Sequence, residues 1–181
     1  MAFDDARAGP FSGPTRWEDA VGPELSAEDL AAVARFGGRL GERGWRRFTA
    51  TMHDDHTHTV PIARLPDPFP GENVVTHTQG VMSGEMSGTY DGINLARIHT
   101  DTGLITGTIM ATGTFTYRGM TGRLEWLAHA IGTDEGLESD AVISIAEGDF
   151  EGVIGGLHAA GRPAHPLSVV GWLRLPGEVD A

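Results

Sequence analysis

The chain has 181 residues and a net charge of −12, from 13 basic and 25 acidic groups. That length suits one domain with a sizeable core, and that charge opposes polyanions, which disfavours nucleic acid and anionic membrane surfaces as partners. Cysteine and lysine are both missing, which removes disulfides, thiolate nucleophiles, Cys-ligated metals and Schiff-base chemistry.

No apolar run reaches the roughly 18 residues of a membrane-spanning helix. The opening MAFDDARAGPF lacks the basic-then-apolar pattern of a secretion signal, so a cytoplasmic protein is expected. Residues 1–24 hold three prolines and three glycines, which predicts an irregular arm. Residues 25–181 read as a single domain that opens with a helix over 26–43. Ser26 is its N-cap candidate, Glu28 and Asp29 sit in the first turn, and Leu30, Val33 and Leu40 form its apolar stripe.

Residues 45–53 read as a first strand. The prolines between 61 and 70 then predict a long loop from His53 onward. That loop carries His53, Asp54, Asp55, His56 and His58, the densest set of candidate metal ligands in the chain. A polar surface loop is the simpler reading. Residues 74–91 read as one continuous strand, with Met82, Met86 and Tyr90 on a shared parity beside Gly84 and Gly88. Residues 93–99 form another, ending at His99. Asp101-Thr102-Gly103 is a hairpin turn.

The stretch from Leu104 to Trp126 carries the strongest signal. Ile105, Ile109, Ala111, Phe115 and Tyr117 alternate with threonines, and this period of two marks a strand with unlike faces. After Tyr-Arg-Gly-Met-Thr-Gly a second strand sets Arg123, Glu125, Leu127, His129 and Ile131 on one parity. Leu124, Trp126, Ala128 and Ala130 take the other. Residues 139–147 and 167–175 are further strands, joined through a short GGLHAAGR segment. About eight strands, short connections and many glycines predict an all-β, antiparallel eight-stranded barrel with one N-terminal helix.

From about Val81 to Leu175, a little over half the chain, the order GEMSG, FTYRGMTG and GDFEGVIGGLHAAG resembles the allene oxide cyclase and dirigent superfamily of β-barrels. The resemblance implies a calycin-like barrel whose lumen holds an apolar small molecule. It also implies a cofactor-free cyclase or isomerase, placed in bacterial secondary metabolism, and a homo-oligomer, dimer or trimer. The shared motifs are mostly turn glycines, so they speak for fold more than for chemistry.

The residues that would do such chemistry are Glu125, Tyr90, Tyr117 and His129. A carboxyl in an apolar barrel has a raised pKa and can act as acid or base. A tyrosine hydroxyl can polarise a carbonyl. Two placements are open for Glu125: toward the lumen, or outside beside Arg123 and Arg97. Met82, Met86, Ile109, Phe115 and His99 are the expected ligand-lining set. Two rival functions stand beside the cyclase. One is a binding barrel without chemistry; the other is a metal-dependent enzyme built on His53, His56 and His58.

Overall fold

The computed structural model describes residues 45–64 and 71–175. The expected arm and helix lie outside the described residues. Eight strands follow one another: β1 (Trp45–Arg64), β2 (Glu72–Gly84), β3 (Met86–Ile98), β4 (Ile105–Tyr117), β5 (Met120–Gly132), β6 (Leu137–Gly148), β7 (Ile154–Gly161) and β8 (Leu167–Arg174). Each pairs antiparallel with the next, and β8 returns to β1, so the sheet is a closed barrel. Closure satisfies the backbone groups that an open sheet would leave at its edges.

The barrel is strongly staggered. The register row that leaves β1 at Ala50 crosses Val169, Ala159, Ser139, Ala130, Gly107, Ala96 and Val74, and meets the β1 backbone again at Pro61. Closure requires this stagger and tilts the strands, and eight strands leave an interior just wide enough for side chains to fill. One end is filled. Phe48, Met82, Met86, Phe115, Tyr117, Leu124 and Leu173 are almost inaccessible there. Phe150 and Val153, in the turn between β6 and β7, tuck beneath them. Gly171 is bare because the Phe48 ring lies over it, where any Cβ would collide.

The strands depart from expectation in three places. β1 does not end at His53 but runs on to Arg64. Thr57, Thr59 and Val60 pair with Thr78, Thr76 and Val75, and a bulge between Asp54 and His56 absorbs the one irregular step. Beyond Met52 this strand has β2 alone as a partner among the described strands, so Pro61 sits where a missing N–H breaks no second ladder among them. The predicted strand over 74–91 is two strands that turn at Gly84 and Glu85. Gly84 has φ of 140°, and Glu85 accepts hydrogen bonds from the Thr49 N–H (2.7 Å) and the Thr49 hydroxyl (3.0 Å). Finally, the GGLHAAG segment is itself a strand, β7.

Candidate functional site

The parity of β5 decides the candidate site. Leu124, Trp126, Ala128 and Ala130 are buried and face inward, so Arg123, Glu125, Leu127, His129 and Ile131 face outward. Of the two placements open to Glu125, the structure takes the outer one. Its carboxylate pairs with the Arg123 guanidinium, which also reaches Glu147 at 3.2 Å and donates to the Thr112 hydroxyl at 3.0 Å. His129 is exposed, its Nδ1 3.3 Å from the Thr108 hydroxyl. Neither residue is in reach of the lumen.

Both tyrosines face inward, in different settings. Tyr117 is wholly inaccessible at the filled end, 5.9 Å from the Phe48 ring between centroids. Its hydroxyl has no hydrogen-bond partner among the described residues, and burial raises its pKa. Tyr90 lies higher, in the register row Asp54–Gly80–Tyr90–Gly113. Its ring crosses Gly80, whose absent Cβ would overlap the phenol, and its hydroxyl donates to Asp54 on β1. The Trp126 ring packs beside it at 6.1 Å. Burial first, and then the Asp54 carboxylate, push the Tyr90 pKa far above the ordinary phenol range. At neutral pH Tyr90 is therefore a hydrogen-bond donor, never a phenolate.

Asp54 enters the site from a different expectation, as one of a metal-ligand cluster. Its parity on β1, shared with Phe48, Ala50 and Met52, was the available signal. His53, His56 and His58 pair with Val81, Gln79 and His77 on the outer face of β2. His53 stands 3.8 Å from Asp55, and among the described residues no three His, Asp or Glu side chains converge to hold a metal. On that outer face His77 and Gln79 hydrogen-bond to Asp91 at 2.8 and 2.7 Å, and these bonds lower its pKa.

Of the expected ligand-lining residues, Met82, Met86 and Phe115 belong to the filled core, and Ile109 packs against it from the open side. The enclosed space among Phe48, Met82, Met86, Phe115 and Trp126 is about 10 Å³, too little for a ligand and marginal for one water. His99 lies past the end of β3, where its backbone closes the turn by bonding Leu104 and Gly103 at 2.8 Å.

Above Trp126 the lining changes character. On β1, β2 and β3 it carries Thr57, Thr59, Thr76, Thr78 and Asn94, and on β5, β6 and β7 Ala128, Ala130, Ser139, Ala141 and Ala159. A polar wall thus faces a wall of small side chains, with Asp54 and Tyr90 at its base. The Asn94 Oδ1 is inaccessible to water and has no partner among the described residues.

No protein-family model matches this chain, and no curated protein matches it either. Among the described residues no helix is long and apolar enough to cross a membrane.

Proposed function

We propose that the barrel receives an apolar small molecule above Trp126 and converts it as a cofactor-free isomerase or cyclase. The observation that carries this reading is the hydrogen-bonded Asp54–Tyr90 pair at the base of a lining that is polar on one wall and small-sided on the other. A binding site needs an apolar surface with a few convergent polar groups, and this lining has that composition. Asp54 takes a proton from one substrate atom and returns it to another. The Tyr90 hydroxyl meanwhile turns from Asp54 to polarise the substrate oxygen. Atoms balance without any co-reactant. Much of the rate would come from holding the chain of the substrate in a reactive fold.

The rival is a barrel that binds the same class of molecule and performs no chemistry. The solid end of the lumen and the lack of a second acid or base beside Asp54 among the described lumen residues favour it. One experiment separates the two. A panel of apolar ketones and epoxides is titrated calorimetrically, and products are followed by mass-balanced NMR. For an isomerase, Asp54→Asn abolishes turnover while affinity changes only a few-fold. For a carrier, no panel member is converted, and Ala128→Trp removes binding. If Ala128→Trp leaves every binder unaffected, the lumen is not the site and both readings fall.

A further inference from the structure

Asn94 holds an inward position on β3 that the proposed chemistry leaves unused. It stands four residues from Tyr90 on the same parity, roughly 13 Å along the strand. Between them Gly92 carries no side chain. The Asn94 amide leans toward β4, where a Cβ on Gly107 would fall 2.7 Å from its Oδ1. That oxygen is closed to water and has no hydrogen-bond partner among the described residues. Its register neighbours explain why. On one side the row continues through Ile109, Ala128 and Ala141, whose side chains have no donor. On the other stands Thr76, whose hydroxyl lies 3.4 Å from that of Thr59. A buried amide oxygen left unpaired destabilises the fold, and a bound group that donates to it lifts that penalty.

The same row shows what such a group can be. Thr59 has inward parity, yet it is exposed and lies beyond the last β1–β8 pair, Met52 with Leu167. Thr59, Thr76 and Asn94 are successive register partners, so neutral polar groups lead from this exposed lip into the lining. The adjacent inward row, Thr57, Thr78, Gly92, Ala111 and Trp126, is uncharged as well. A carboxylate or ammonium would find no counter-charge in either row, and burying an unpaired charge is very costly. A hydroxyl fits. It donates to an amide oxygen and accepts from an amide N–H, so it is served whichever way the Asn94 amide turns.

We infer that Asn94 is a specificity-determining residue that reads a neutral hydroxyl on the ligand, on the order of 13 Å from the oxygen that meets Tyr90. The inference rests on the proposed lumen site and narrows its ligand to an apolar chain with an oxygen at each end.

Calorimetric titration with a matched pair of ligands tests it. One is an unbranched methyl ketone of about ten carbons, which spans that distance when extended. The other is the same ketone with a terminal hydroxyl. The wild type should bind the hydroxyketone about tenfold more tightly, as one added hydrogen bond supplies. In Asn94→Leu, which keeps the side chain's shape, the two affinities should become equal. Thermal melts of the unliganded proteins give a second reading: with the orphan oxygen gone, Asn94→Leu should be at least as stable as the wild type. Three results would overturn the inference while leaving the lumen site in place. They are equal binding of the two ketones by the wild type, a preference that survives Asn94→Leu, and an Asn94→Leu protein that melts well below the wild type. If the wild type binds neither ketone, the lumen site falls and the inference falls with it.

Discussion

Tyr90 and Tyr117 show how one residue type on one parity comes to two different ends. Tyr90 has a carboxylate to bond, and the Tyr117 hydroxyl has no partner among the described residues. An unpaired buried hydroxyl loses its water without replacement, which costs about 1–3 kcal/mol. Tyr117→Phe is therefore expected to raise stability by about 1 kcal/mol in urea titration, since the ring stays and the orphan oxygen goes. Tyr90→Phe should act oppositely, stranding Asp54, and should also change the response to alkali. The folded Tyr90 pKa lies above the unfolded value of about 10. Its contribution is thus complete below that value and drains away as pH rises beyond it. The stability gap between wild type and Tyr90→Phe should narrow from about pH 10 upward, as chemical denaturation at several pH values would show. The parity of both tyrosines was legible in the sequence. The direction of Glu125 was not, because the alternation on β5 is balanced: Arg123, Leu127 and Ile131 mix charge with apolar bulk as readily as a lumen face might. Only the neighbours settle it, through Arg123 on the same face and the buried Trp126 on the other.

Among the elements, β4 and β5 were readable because their thirteen-residue alternations are unbroken. Two boundaries were hidden for identifiable reasons. The turn at Gly84 and Glu85 has no Asn-Gly or Asp-Gly signal, and Met82, Met86 and Tyr90 keep one apparent parity straight through it. What makes the turn is tertiary: Glu85 holds the backbone and hydroxyl of Thr49 on β1, and Gly84 lies so close to Ala50 that a side chain has no room. Glu85→Ala should accordingly cost about 1 kcal/mol for its two lost hydrogen bonds. Hydrogen exchange should rise at Thr49 as well as in the turn, because the carboxylate tacks one strand to another. The outer half of β1 was hidden by Pro61, by the prolines that follow the strand and by its histidines, which together read as loop. As a strand it is possible because its pairing with β8 stops at Leu167, so beyond that point one side of β1 has no partner among the described strands and tolerates a proline.

At the scale of the whole molecule, every wall joint but one links strands that are neighbours in sequence. The exception is the ladder between β1 and β8, whose pairs run from Trp45 with Arg174 to Met52 with Leu167. Bringing together segments so far apart along the chain costs more loop-closure entropy than forming any hairpin, so local pairs are expected to form first and the long-range seam last. This divides the effect of destabilising substitutions between two rates. Leu124→Ala on β5, within the β4–β5 hairpin, should mainly slow refolding. Val169→Ala on β8, at the seam beside Ala50, should mainly speed unfolding and leave refolding nearly unchanged. Stopped-flow chevrons of the two variants would show it, and equal partition of both would place the seam inside the folding nucleus. A barrel stitched by one distant joint is thus expected to open at that joint, and the lifetime of the folded state is set by about eight residue pairs along one line of its wall.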